Sequence, residues 1–404
     1  MIWNKLKKIF GVTSNESAGS LKATAPKPDS SKEAFEKGIS SEAKTSSPKM
    51  EWLDANSNPW HVPVLDVRPF TLSMLSTTLD PQLAANAVSY ANDDGEGFID
   101  QDPVVDRIIP SGLAYPIDRF LSNGVLFLPR QMEHKWAIFY REGKIIFVRS
   151  WQRQVFVVAR TELRGELLAV TEVHGAFGGA GEDAEFTLRT LDFLIRTHAL
   201  NEPYPAPLPQ GIENDVDSAA RWCFSAFGNM VQCATHHHIE FQLPQVPLRT
   251  HSLLHIAVAH ADREKVAELL KSGVPADLLA GDGLAPLHWA LAQTNLPIME
   301  MLIAAGSPVD VRSAEGATPL MNAAQGNNLE ALSFLLEQGA KANNQDQRGF
   351  TALHRAAEMG HLDVAKALVN AGASPVIEAQ GHTPRSLAEM RGLAAMIEVL
   401  STTP

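Results

Sequence analysis

Cysteine is almost absent from this chain: of 404 residues, two carry a thiol, Cys223 and Cys233. Two are too few for a disulfide framework and suit a reducing compartment. Long apolar runs are missing as well. No stretch of about 18 apolar residues occurs, so nothing reads as a membrane-spanning helix. There is no excess of basic residues either, and a formal charge of −12 argues against a nucleic-acid partner, because phosphate contacts need a basic face. Hydrophobic residues make up 45%, which is ordinary for a chain of two globular domains. The expectation is a cytoplasmic protein.

What the chain does have is a period. Thr351-Ala352-Leu353-His354 is preceded, at steps of 33 residues, by Thr318-Pro319-Leu320-Met321, Ala285-Pro286-Leu287-His288 and Ser252-Leu253-Leu254-His255. Glycines keep the same step. Gly283, Gly316 and Gly349 open the units, and Gly273, Gly306, Gly339 and Gly372 follow the second helices, where a left-handed residue ends a helix without a Cβ penalty. Thr at the turn caps the first helix, and Pro beside it sits where no amide proton is needed. Small pairs such as Ala323-Ala324 and Ala356-Ala357 let units approach closely. Leu269-Leu270, Leu335-Leu336 and Leu368-Val369 form an apolar stripe that one unit cannot bury alone. The pattern predicts a solenoid.

At these residues the chain resembles the ankyrin repeat family, whose pattern is G-x-T-P-L-H-x-A-A-x-x-G-H, a second helix, and G-A. Residues 349–373 match it closely, and the resemblance covers roughly 250–404 in about five units. Departures fall in two places. The second unit has Ala285 for Thr, and "QTNLPIM" (293–299) replaces the Gly-His between its helices, so a displaced corner is expected there. The last unit steps by 32 and carries Arg385 and Ser386, which reads as the polar cap an open stack needs.

The rest divides in three. In "MIWNKLKKIF", Ile2, Trp3, Leu6, Ile9 and Phe10 share one helical face, so residues 1–11 read as a short basic amphipathic helix. It suits weak membrane-surface contact, docking on a protein, or an inert start. Residues 12–50, rich in Ser, Ala, Lys and Pro, read as a disordered linker. Residues 51–245 read as an α+β domain of unknown function with an antiparallel sheet, followed by the all-α solenoid. Within it, 134–173 holds four alternating runs broken at Glu142-Gly143, Gln152-Arg153 and Arg164-Gly165, flanked by helices near 80–91, 182–199 and 213–228.

Four features there could carry chemistry. "NDDGEGFID" puts Asn92, Asp94, Glu96, Gly97, Ile99 and Asp100 in the order of a calcium loop, but its twelfth position is Pro103 where a bidentate Glu is required. "GAFGGAG" (175–181) lies where a phosphate loop would lie, yet Glu182 and Asp183 already occupy the positive end of the next helix. Cys223, Cys233 and His236-His237-His238 have no structural zinc spacing. His61, Asp66, Arg68, Ser73 and Ser76 gather in one segment, where an Asp-x-Arg is a structural bridge as readily as a site. No catalytic residue, metal ligand or cofactor motif emerges.

The resemblance implies a protein that binds a partner protein through hairpin tips and the concave side of the first helices. Carried over residue by residue, those positions include Asp282, Glu315, Gln347, Arg348, Phe350 and Met359, along with Ala292, Gln325 and Glu358. An exposed Phe350 beside Arg348 and Met359 is the expected anchor, because aromatic, Arg and Met residues are enriched at interfaces. The alternative is an enzyme or ligand-binding protein active in 51–245, with the stack as a targeting module.

Overall fold

The structure, a computed structural model, describes residues 49–229, 232–235 and 240–401. The helix expected over 1–11 with Ile2, Trp3, Leu6 and Phe10, nearly all of the linker expected over 12–50, and His236-His237-His238 lie outside them.

The four alternating runs are strands of one antiparallel meander. β1 (Glu51–Leu53), β2 (Val64–Asp66), β3 (Ile108–Pro110) and β4 (Ala114–Pro116) precede it, and β5 (Gly124–Phe127) leads into β6 (Trp136–Arg141), β7 (Lys144–Arg149), β8 (Gln154–Arg164) and β9 (Leu167–Gly175). Glu142 and Gly143 turn the chain between β6 and β7 with φ of 48° and 75°, as a tight hairpin of the primed type requires. β3 and β4 both pair with β9 and close that edge. A smaller sheet has the order β1-β2-β11-β10, with β10 at Ala206–Leu208 and β11 at Gln232–Thr235.

β6 and β7 are buried along nearly their whole length, and their alternation explains why. Trp136, Ile138, Ile145 and Phe147 face a core shared with helices α3 (Ala184–Leu194) and α4 (Val216–Phe227), which follow α1 (Arg68–Thr71) and α2 (Pro81–Val88). Ala137, Phe139, Ile146 and Val148 face the opposite core, which runs without a break into Leu254, Val258 and Leu287 of the helical stack. A strand covered on both faces needs no polar side. Gly95 is one place where only glycine fits. Its φ is 88°, and a Cβ there would come within 2.7 Å of Phe139.

The stack therefore begins on the sheet. β12 (His251–Ser252) adds to β5 antiparallel, Thr250 Oγ1 donates to the Ser122 carbonyl at 2.8 Å, and Arg249 pairs with Asp118 at 2.6 Å. Arg119 also pairs with Asp277. An open end of a repeat stack leaves its apolar face uncovered unless something caps it, and here the sheet does so.

Helix pairs follow: α5 (Leu253–Ala259) with α6 (Arg263–Lys271), α7 (Pro286–Ala290) with α8 (Leu296–Ala304), and α9 (Pro319–Gln325) with α10 (Leu329–Glu337). Then come α11 (Ala352–Met359) with α12 (Leu362–Asn370), and α13 (Pro384–Met390) with α14 (Ala394–Ser401). Leu254, Leu287, Leu320 and Leu353 occupy one register and are all buried. The histidine after each of three of these leucines ties its unit to the next. His255, His288 and His354 place Nε2 3.1, 3.1 and 3.2 Å from the carbonyls of Leu284, Ala317 and His382. Their Nδ1 atoms accept from Ser252 Oγ, Ala285 N and Thr351 N. Met321 has no second nitrogen to bridge to the next unit, but its Sδ accepts the Thr318 N–H as the ring Nδ1 does elsewhere; Ser386 Oγ accepts that of Thr383.

Accepting at Nδ1 while donating from Nε2 is possible only for neutral imidazole. Burial pushes His255 down to about 3 and His288 to about 4, and lowers His354 too. An unfolded histidine takes its proton near pH 6.5 while these folded rings resist it. Their contribution to stability is therefore full above about pH 6.5 and lost as pH falls toward 4. Melting followed by circular dichroism should show that decline; a flat melting temperature across this window would contradict neutral bridging rings.

Candidate protein-binding surface

The hairpin tips stack in a row. Ala314 N donates to the Gly283 carbonyl at 2.8 Å and Gln347 N to the Glu315 carbonyl at 3.1 Å, so Asp282, Glu315 and Gln347 fall on successive tips. Glu315, Gln347 and Arg348 are exposed and Asp282 is half-buried. Each tip is braced locally. Asp282 Oδ1 accepts from Leu284 N, Asp346 Oδ1 accepts from Arg348 N and Phe350 N, and Gln347 Nε2 reaches the Ala314 carbonyl.

Phe350 does not point out to solvent as expected. It is 6% exposed, with the Arg348 guanidinium 5.0 Å and the Arg355 guanidinium 4.9 Å from its ring centre, and His354 edge-on at 5.4 Å. Asp346 pairs with Arg355 at 2.7 Å and holds it over the ring. The cause is the cation–π attraction of two guanidiniums, one from the tip and one from the following helix, which fold over the ring and remove it from water. Met359 is exposed, at 47%, but it ends α11, and an eight-residue helix is roughly 12 Å long. The structure thus groups Gln347, Arg348 and Phe350 on one tip and sets Met359 at the far end of the inner helix.

A groove that the motif reading did not single out lies along that far end. A cavity of about 450 Å³ opens between the second and third units, lined by Asn322, Gln325, Asn327 and Asn328 with Thr294 and Leu329. It forms at the corner where "QTNLPIM" stands. α7 ends at Ala290, Thr294 turns with φ of 50°, and Asn295 caps α8 by accepting from Ile298 N. Asn328 Nδ2 bridges to the Leu291 carbonyl at 3.0 Å and to Thr294 Oγ1 at 2.9 Å, the link that His361 Nδ1 makes to the Ala324 carbonyl one unit later. Asn for His at this step is the signal in the sequence. Gln325 and Gly326 are in register with Glu358 and Met359, so groove and methionine share one line on adjacent inner helices.

The candidate sites of the first domain do not converge. Asp66 and Arg68 bind each other, and burial and this pairing act in opposite directions on Asp66, leaving its carboxyl below the usual range. His61 sits apart in a left-handed turn. In the acidic loop, Arg141 pairs with Asp94 at 3.3 Å and with Glu96 at 3.6 Å, which leaves an arginine where a calcium ion would need the carboxylates. Among the described residues no cluster of His, Cys, Asp and Glu could hold a metal ion. In the glycine loop, Glu182 accepts from Phe177 N and Gly178 N while Asp183 caps α3, so a carboxylate already occupies the amides a phosphate would use. Cys223 and Cys233 are fully buried and joined as a disulfide, a single pair and no framework. No described helix is long and apolar enough to cross a membrane.

The family profile of ankyrin repeats (three copies) matches residues 254–346 and again 292–379. No curated protein matches the chain. Residues 254–379 are ankyrin repeats, a protein–protein interaction module.

Proposed function

We propose, for a chain whose residues 254–379 are ankyrin repeats, that the stack works as an adaptor holding a protein partner along its inner helices. The observation that carries this reading is the amide-lined groove at Asn322, Gln325, Asn327 and Asn328, in line with the exposed Met359. Carboxamides both donate and accept, which suits the backbone of an extended segment, and a methionine one unit further supplies an adaptable apolar anchor. Glu330 in the groove wall and Glu358 one unit further make the surroundings acidic, so the segment that fits carries a basic residue. Gln347 and Arg348 contribute at the rim of the tips, and Phe350 acts beneath them by fixing Arg348. A chain charge of −12 disfavours nucleic acid. Contact of Ile2, Trp3, Leu6 and Phe10 with a membrane surface or a second protein is a separate proposal.

The test is calorimetry of the full chain against a partner captured from lysate. Met359→Ala should weaken binding about tenfold, a loss of roughly 1.4 kcal/mol, and Gln325→Ala less, both at unchanged melting temperature. Phe350→Ala should lower the melting temperature, because its ring is buried. Wild-type affinity in both Met359→Ala and Gln325→Ala would place the contact elsewhere. A second reading, that residues 51–245 bind a ligand, is favoured by an aromatic cavity between the larger sheet and helices α3 and α4.

A further inference from the structure

That cavity, about 290 Å³, is walled by rings from five separate stretches of chain: Trp136, Phe156, Phe177, Phe186, Trp222 and Phe227. They pack edge to face, with Trp222 5.8 Å from Phe186 and 5.3 Å from Phe227, and Phe177 5.1 Å from Trp136. Phe156, Phe177 and Trp222 remain partly open to it. A ring-lined hollow of this size, with few polar groups, has the make-up of a small-molecule site.

Among the described residues, Arg149 is the one cation of its lining, beside Gln152, Glu182, Thr190 and Ser225. Arg149 lies on Trp136, 4.8 Å from the ring centre, and spends two N–H bonds on the carbonyls of Ser225 and Ala226 at the end of α4. Its other donors have no carboxylate: among the described residues no acid lies within ion-pair distance of Arg149 or of Lys135, its neighbour on the sheet. Lys135 is 6% exposed and is held by Ser76 Oγ at 2.6 Å and by the faces of Trp151 and Phe224. It borders a second cavity, about 430 Å³, which shares Arg149, Gln152 and Ser225 with the first. Glu133, the acid whose charge Lys135 feels, is turned to the Ser76 amide, 3.0 Å away. Burial, helped by Arg149 and opposed by Glu133, pushes Lys135 down to about 8, and burial brings Arg149 to about 10. The one acid in the aromatic wall, Glu182, is saturated by Phe177 N, Gly178 N and Thr187 Oγ1. Thr190 completes the lining. It is 1% exposed, and among the described residues its Oγ1 has no hydrogen-bond partner.

We propose that this cavity binds a small planar organic acid, its aromatic ring against Trp222 and Phe177 and its carboxylate on Arg149. A half-buried cation without a counter-ion gains from an anion that a neutral or cationic ligand cannot supply. A ring fits the rest, since an aromatic wall rewards a flat apolar face. Thr190 Oγ1 is the hydroxyl that a polar ring substituent reaches. The site rests on the ligand-binding reading of residues 51–245 and not on the repeats, so it stands or falls apart from partner binding.

The test uses the full chain, 6-hydroxy-2-naphthoate as probe and 6-hydroxy-2-naphthamide as its neutral counterpart, measured by calorimetry. Saturable 1:1 binding of the acid is expected, with the amide at least tenfold weaker. Trp222→Ala, a half-buried position, should cost tenfold or more, and Thr190→Val, which keeps shape and removes the unpaired hydroxyl, should alter affinity without lowering the melting temperature. Arg149→Met should abolish the preference for the acid; because Arg149 also caps α4, its melting curve is recorded alongside. No saturable binding below about 1 mM, equal affinity for acid and amide, or unchanged affinity in Trp222→Ala each overturns the proposal.

Discussion

Leu353→Ala should destabilise the protein by about 2–5 kcal/mol, the usual cost of emptying a core leucine site. Leu353 is fully buried on α11, with α9 packed on one side and α13 on the other. The same register holds Leu254, Leu287 and Leu320, all enclosed, so the chain has no slack at this depth. Repeat stacks share stability between neighbours, and a cavity at one interface weakens the units on both sides. Here the stack is continuous with the core under β5, β6 and β7, so the loss should reach the sheet as well. Circular dichroism and tryptophan fluorescence should therefore shift together. A melting temperature equal to the parent's would refute the packing register, and a shift in the helical signal alone would refute the shared core.

Much of this was legible in the sequence, because each legible feature is local. The step of 33 residues, the meander breaks at Glu142-Gly143 and Arg164-Gly165, and the three flanking helices all follow from spacing and turn chemistry within a few residues. Spacing places Phe350 one residue past Gly349 on a tip, and what buries it is not local to that pattern: two arginines fold over the ring, one of them on the next helix, and His354 packs against its edge. The groove at Asn322 and Asn328 was half visible, as the disturbed corner at 293–299. β12 was invisible, being two residues whose pairing with β5 depends on chain more than a hundred residues away. The aromatic cavity is the extreme case, since its rings are scattered between 136 and 227 and no periodicity links two strands, a glycine loop and two helices.

Arg196→Met should cost about 3–5 kcal/mol at neutral pH, as removal of one partner from a buried ion pair does. Arg196 and Asp192 are each 3% exposed in their side chains and meet at 2.9 Å. Around them, Tyr115 donates its hydroxyl to Asp192 at 3.1 Å, Glu202 accepts from Arg196 at 3.0 Å, and the Tyr204 ring lies 4.5 Å from the guanidinium. Arg196 also donates to the Gln242 carbonyl, which pins the segment leading into β12 and hence the seating of the stack on the sheet. Methionine keeps much of the volume, so what is lost is the charge, and Asp192 is left buried without a cation. Burial already holds Asp192 above the usual carboxylate range despite Arg196 and Tyr115, and without Arg196 it should rise further. An acid with a raised folded pKa is most stable in its protonated form, so the deficit of the variant should shrink as pH falls from 7 toward the ordinary carboxylate range near 4. Adding Asp192→Asn removes the orphaned charge while keeping an acceptor for Tyr115, and should recover most of the loss at pH 7 with little effect at low pH. Denaturant unfolding of the parent, the single variant and the double variant at two pH values separates the outcomes: a deficit independent of pH would mean that Arg196 acts by packing alone, and no recovery in the double variant would mean that its bond to Gln242 is what matters.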